Sequence, residues 1–169
     1  GYITRRMKRH CKVISILDNV IPHEQHFFDA PLTKYFLKGS NGCVTLCEAV
    51  SKDLLELKPD ADFTVIQHPL YSHFGKKKKR CEAERKLGLA PGKKNILFFG
   101  LIREYKGLDI LLEAFRTLDD SYQLIIAGEP YGSFEKYQKI IESLPGKERV
   151  FMDLKYIKDS EVSGYFSAA

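Results

Sequence analysis

The chain has 169 residues, 44% of them apolar and 29% charged, with a formal net charge of +5. That is enough chain for one hydrophobic core or two small ones, in the composition range of globular proteins. No run approaches the roughly 20 apolar residues of a membrane-spanning helix, and no secretory signal is visible.

Residues 2–10 read as the tail of a basic helix, and residues 13–17 as a strand closed by Asp18-Asn19. Beyond a loop broken by Pro22, Leu32, Tyr35 and Phe36 suggest a helix, with Gly39 as its cap. Residues 43–47 form the next strand. A helix over 49–57 stops before Pro59, and a short strand covers 63–66. A basic run then leads into a helix over 81–87, which Gly88 ends. The apolar run 96–99, halted by Gly100, is a buried strand. After it, Leu108, Leu111, Leu112, Phe115 and Leu118 recur at helical spacing and give a core-facing stripe. A strand at 123–127, a helix near 134–144, a strand near 150–152 and a helix from about 160 complete the chain, with Asp159 or Ser160 capping the last. Strands alternating with helices predict an α/β chain of parallel βαβ units.

Charge is unevenly placed. Residues 76–94 hold nine Lys/Arg against two Glu, so the rest of the chain is slightly acidic. The run Lys76-Lys-Lys-Lys-Arg80 has the look of a nuclear signal or nucleic-acid patch. Little aromatic interleaving supports base stacking there, and a solvated linker into the following helix is the preferred reading. Contact with anionic lipid is a further possibility. The cysteines Cys11, Cys43, Cys47 and Cys81 lack the C-x-x-C spacing of a zinc site. Cys43 and Cys47 bracket a strand, where buried free thiols are common, and reduced cysteines suit a cytoplasmic chain. His26, His68 and His73 show no ligand spacing, so no metal is assigned.

The segment with the most chemistry runs from the strand at 96–99 into the helix at 108. Arg103 and Lys106 sit where a parallel strand ends and a helix begins, which is where open α/β sheets bind ligands. Backbone N–H groups, the helix dipole and two side-chain cations can face one anion there. Neither a Walker loop nor a Gly-x-Gly-x-x-Gly turn is present. On pattern alone the loop is an anion site or a pair of solvated cations.

The stretch Phe99-Gly-Leu-Ile-Arg-Glu-Tyr-Lys-Gly-Leu-Asp-Ile-Leu-Leu-Glu-Ala-Phe115 resembles the start of the nucleotide-sugar domain in glycosyltransferase family 4, retaining enzymes of the GT-B fold. The likeness continues through Leu124-Ile-Ile-Ala-Gly-Glu-Pro-Tyr-Gly132, Tyr156-Ile-Lys-Asp-Ser-Glu-Val162 and Tyr165-Phe-Ser-Ala-Ala169. It runs backward through Asp18-Asn-Val-Ile-Pro-His-Glu24, Glu48-Ala-Val-Ser51 and His68-Pro-Leu-Tyr71. In the family, that order joins the end of an acceptor lobe to the start of a donor lobe. The resemblance implies parallel-sheet Rossmann-like units, both lobes incomplete: acceptor side at 1–72, a basic linker and helix at 73–94, and donor side at 95–169. Family members are much longer, and the Gly-rich opening loop of the acceptor lobe and a later Glu-x7-Glu segment are not in this sequence. The chain therefore reads as an internal part of an enzyme, expected to be inactive alone.

The implied reaction moves a sugar, of hexosyl type, from a nucleotide-diphosphate donor to an acceptor hydroxyl with retention, in polysaccharide or glycolipid assembly. Gly100, Arg103 and Lys106 would bind the donor diphosphate, although many members carry the arginine where this chain has Leu101. An ion pair between Arg103 and Glu104 is the plain alternative. Gly128, Glu129 and Pro130 would lie near the nucleotide, where Tyr131 is placed to stack on a base. Many relatives carry a histidine directly after the first strand. Here Asp18 holds that position and His23 follows five residues later, so either would orient or deprotonate the acceptor hydroxyl. An Asx turn at Asp18 and a structural His23 are the plain alternative. The expected partners are a nucleotide-sugar donor and a carbohydrate or lipid-linked acceptor, with no cofactor. The expected location is cytoplasmic, at most peripheral to the inner membrane face, with self-association of the truncated chain a possibility. The rival reading is a non-catalytic anion or nucleic-acid-binding module using 76–94. A phosphorylase of similar fold is a third, but no lysine motif points to its pyridoxal cofactor.

Overall fold

The computed structural model describes residues 1–22, 24 and 26–169. The chain divides into two compact units, Gly1–Leu70 and Tyr71–Ala169, each built on one parallel sheet.

The first unit runs α1 (Tyr2–Met7), β1 (Ile14–Leu17), α2 (Asp29–Leu37), β2 (Gly42–Thr45), α3 (Glu48–Leu57) and β3 (Phe63–Val65). The strands pair in parallel in the order β1-β2-β3, with Ile14 opposite Gly42 and Cys43 opposite Phe63. Leu17, Val20, Leu37, Cys43, Val50 and Leu54 make the core. Two expectations need correction here. α2 ends at Leu37 with Lys38 still right-handed, and Gly39 does not take the left-handed cap conformation. Gly39 lies hard against the Thr4 side chain, so the missing Cβ makes room for α1. Of the two cysteines expected to bracket the strand, Cys43 lies within β2 and is buried, whereas Cys47 is exposed because it precedes α3 outside the sheet. Burial pushes the Cys43 thiol above its usual range, and Asp62 adds to that against an opposing pull from Lys58.

The second unit runs α4 (Arg80–Leu87), β4 (Lys94–Phe99), α5 (Leu108–Phe115), β5 (Tyr122–Ala127), α6 (Glu135–Glu142), β6 (Val150–Asp153) and α7 (Asp159–Ala168). Its sheet is parallel in the order β4-β5-β6, with Lys94 opposite Tyr122 and Leu124 opposite Val150. Successive strand residues point to opposite faces, and β5 uses both. Leu124 and Ile126 pack with Leu108, Leu112, Phe115, Tyr137 and Ile141 of α5 and α6. Ile125 and Ala127 pack on the other side with Ala83 of α4 and Val162, Tyr165 and Ala168 of α7.

The basic segment is tied into this unit through polar side chains. The buried Gln123 amide donates to Ala90 O (2.9 Å) and Asn95 Oδ1 (2.6 Å). Asn95 donates in turn to Glu84 Oε1 (3.0 Å) and Ala168 O (2.5 Å), and Arg80 Nε donates to the same Glu84 oxygen at 2.8 Å. Residues 80–95 are therefore held by the fold, and Gly88 closes α4 with φ +69° as its position requires. One boundary differs from expectation: the residue preceding α7 is Lys158, whose N–H donates to Glu161 Oε2 at 3.3 Å, and Asp159 already lies inside the helix. An acid in the first turn still favours the helix dipole there.

Candidate functional site

The site expected from the sequence gathers at the carboxyl ends of β4 and β5. Gly128 lies so close to Gly100 that any side-chain carbon on it would overlap the Gly100 carbonyl. Two glycines let the two chains touch backbone to backbone. Gly100 N donates to Ala127 O (2.9 Å), Ile102 N to Glu129 O (2.9 Å) and Tyr131 N to Ile102 O (3.0 Å). Ile102 and Pro130 so form an extra parallel bridge that prolongs the β4–β5 pairing into the loops. Gly128 N, meanwhile, donates to Asp153 O at the end of β6 (3.0 Å).

Above this platform the chain makes a 3-10 turn over Glu104–Lys106 before α5. The turn carries Lys106 back over the strand end, with Nζ 3.3 Å from where a Gly100 Cβ would stand. Arg103 sets its guanidinium over the Tyr131 ring, 4.0 Å from the centroid, a cation–π contact that joins the two loops. Glu104 is the partner of Lys136 on α6, at 2.9 Å, and the same ammonium reaches Asp109 at 2.9 Å. The hydrogen bond from Lys136 holds the Asp109 carboxyl below its usual range, and Asp109 and then Glu104 raise Lys136 above its own. Beside the strand ends lies a cleft of about 320 Å³, lined by Phe74, Gly100, Leu101, Gly128, Glu129 and Ile157 among others.

Of the residues singled out from sequence, Gly100, Arg103, Lys106, Gly128, Glu129 and Pro130 thus share one end of the second sheet. Asp18 is exposed directly after β1 in the first unit. His23 lies outside the described residues. Among the described residues, no cluster of three or more His, Cys, Asp or Glu could hold a metal ion. Sequence reasoning missed Lys136. It sits on the helix expected near 134–144, and neither charge nor spacing links it to a loop some 30 residues earlier.

The family model described as "Glycosyl transferases group 1" matches residues 79–169, more than half of the chain. The chain belongs to that family. Among solved structures it is similar to Alr3699/HepE from Anabaena, crystallised with UDP and glucose, at 16% identity and a TM-score of 0.79. That match covers 94% of this chain and 44% of HepE. Sucrose-phosphate synthase from Thermosynechococcus elongatus matches at 14% identity and TM-score 0.80, over 100% of this chain and 46% of the enzyme. WaaG, a glycosyltransferase involved in lipopolysaccharide biosynthesis, matches at 15% and 0.65, covering 99% and 54%. The chain therefore spans about half the length of these structures, and its α/β units have the GT-B fold. A comparison with curated protein sequences returns no match.

Proposed function

We propose that this chain is part of a retaining glycosyltransferase, with Gly1–Leu70 on the acceptor side and Tyr71–Ala169 on the donor side. The donor is a nucleotide-diphosphate hexose, and the acceptor a hydroxyl of a growing polysaccharide or glycolipid. The observation that carries the donor assignment is the Lys106 amine poised over the touching Gly100 and Gly128 backbones at the strand ends. An ammonium in that place suits a diphosphate whose negative charge grows as the sugar leaves. Fixed charge aimed at developing charge is commonly the largest single contribution to catalysis. Arg103, braced on Tyr131, adds a second, permanently charged group beside it. Glu129, whose carbonyl accepts the Ile102 N–H, and Pro130 beside it form the loop nearest the nucleotide. Asp18, and by the same reading His23, orient or deprotonate the acceptor hydroxyl. HepE was solved with UDP-glucose, which supports uridine as the base. No cofactor is assigned.

Lys106→Ala in the full-length enzyme is expected to lower kcat about 100-fold or more, the scale of losing one such contact. Steady-state kinetics with UDP-sugars check this, and near-normal turnover removes the assignment. Within the basic run, the Arg80 guanidinium is engaged with Glu84 and Lys93 O, which counts against its use in a nucleic-acid contact.

A peripheral position on the inner membrane face fits another feature. Arg5, Arg6, Lys8, Arg9 and Lys38 line one cleft of about 550 Å³ with Tyr35. Exposed Ile3 and Met7 stand on the same short helix. Among the described residues none of these cations is paired with a carboxylate. No described helix is long and apolar enough to cross a membrane, so any attachment through these helices would be superficial. Basic residues near an anionic leaflet contribute about 1 kcal/mol each. The full-length enzyme is expected to float with phosphatidylglycerol vesicles and to remain behind when Arg5, Arg6 and Arg9 are changed to Gln. Equal flotation of the two proteins rejects the contact.

A further inference from the structure

The loop assigned to the diphosphate contains its own adversaries. Between Arg103 and Asp109, two cations alternate with two carboxylates, so the segment carries no net charge. Glu104 and Asp109 sit within a few residues of Lys106, one in the 3-10 turn and one in the first turn of α5. Left alone, they would repel an incoming diphosphate and draw Lys106 away from it. Lys136 meets both. Its Nζ lies 2.9 Å from Glu104 Oε1 and 2.9 Å from Asp109 Oδ2, so a single ammonium from α6 spans the turn on either side of Lys106. Asp109 is also fixed from the other side, because its Oδ1 accepts the Ile110 N–H at 3.1 Å.

We infer that Lys136 is a positioning residue that sets donor-diphosphate affinity by pairing with both Glu104 and Asp109, offsetting one of their two negative charges and keeping them from engaging Lys106. The inference rests on the donor reading above. Nothing requires Lys136 to touch the donor; it acts through the two carboxylates. Lys136 is the cation whose ammonium reaches both carboxylates at once. Arg103 is stacked on Tyr131, and Lys106 is turned to Gly100. The geometry also explains why an acid is tolerated at the start of α5 beside an anion site. A bare carboxylate there would favour the helix dipole yet oppose the ligand. Held by Lys136, it keeps its bond to the backbone without presenting free charge.

The test uses UDP binding to the full-length enzyme by calorimetry, with thermal melts to confirm folding. Lys136→Gln is expected to weaken UDP about five-fold, the scale of one unit charge several ångströms away in partly solvated surroundings. Lys136→Arg should retain affinity. In the Lys136→Gln background, Glu104→Gln with Asp109→Asn removes the repulsive charges, and Asn keeps an oxygen for the Ile110 N–H. That triple variant should return to within about two-fold of the parent, and the loss in the single variant should shrink in about 1 M salt. A brace that acts only through shape would not be rescued in this way. Unchanged affinity in Lys136→Gln, or a triple variant as weak as the single one, overturns the inference. Lys106→Ala measured alongside separates the two levels of argument. If Lys106→Ala leaves UDP binding intact, the donor reading itself fails; if it weakens UDP while Lys136→Gln does not, only the role of Lys136 fails.

Discussion

The two sheets are built to one plan, three parallel strands with helical connections, yet they bury their strands differently. β5 lies between helix layers, and Gln123 to Ala127 are nearly inaccessible. β1 alternates instead. Ser15 and Leu17 are buried, while Ile14 is 59% and Ile16 72% exposed. The inward serine is satisfied by a 2.7 Å hydrogen bond between its hydroxyl and that of Ser40. Residue type alone does not decide which face of a strand is covered; the helices supplied on each side do. The candidate site belongs to the sheet covered on both faces, where the strand ends are held in place and the loops inherit their order.

The sharpest way to probe that contrast is Phe115→Ala. Phe115 is fully buried among Leu112, Leu124 and Tyr137, and its truncation is expected to cost about 3–5 kcal/mol. Denaturant unfolding followed by hydrogen exchange will show whether the loss is confined to amides of the second unit, as expected for a unit with its own core. Loss of protection across β1–β3 as well would break the comparison. Next in size is Gly128→Ala. Its backbone φ of +152° and its contact with Gly100 leave no room for a methyl group, and a cost of about 2–3 kcal/mol follows from strain and overlap. Because the bridge between Ile102 and Pro130 depends on that contact, the Ile102 and Tyr131 amides that donate across it should lose protection first. A change below about 0.5 kcal/mol would show that the close approach is not required.

Most of the framework was legible because its signals are local. The run 96–99, the stripe of Leu108, Leu112 and Phe115, and Gly88 after α4 each carry their own physics, and each element falls within a few residues of expectation. What escaped depends on partners far apart in sequence. Gly39 looks like a cap until Thr4 is seen against it, and Cys47 looks like a strand residue until β2 ends at Thr45. The candidate anion loop was singled out from Gly100, Arg103 and Lys106. Its bracing through Tyr131 and Lys136 was not, since nothing in a charge pattern says which of many surface lysines folds onto which carboxylate. The resemblance singled out the candidate loop, and the tertiary contacts show how that loop is kept in shape.

The smallest effect is expected where the comparison is most easily overturned, at Ile16. A buried β-branched residue in a strand normally costs several kcal/mol on truncation to alanine. Ile16, like Ile14, faces away from the core formed by Leu17, Val20, Leu37 and Leu54, so little apolar surface leaves water when this unit folds around it. Ile16→Ala in this chain is therefore expected to change stability by no more than about 0.5 kcal/mol, the range of ordinary surface substitutions. Leu54→Ala, one helix away and fully buried, should cost about 2–5 kcal/mol in the same unit. Chemical denaturation of the two variants decides the matter. A loss at Ile16 approaching that at Leu54 would mean that the outer face of β1 is covered in solution, and the one-sided burial of this sheet would have to be abandoned.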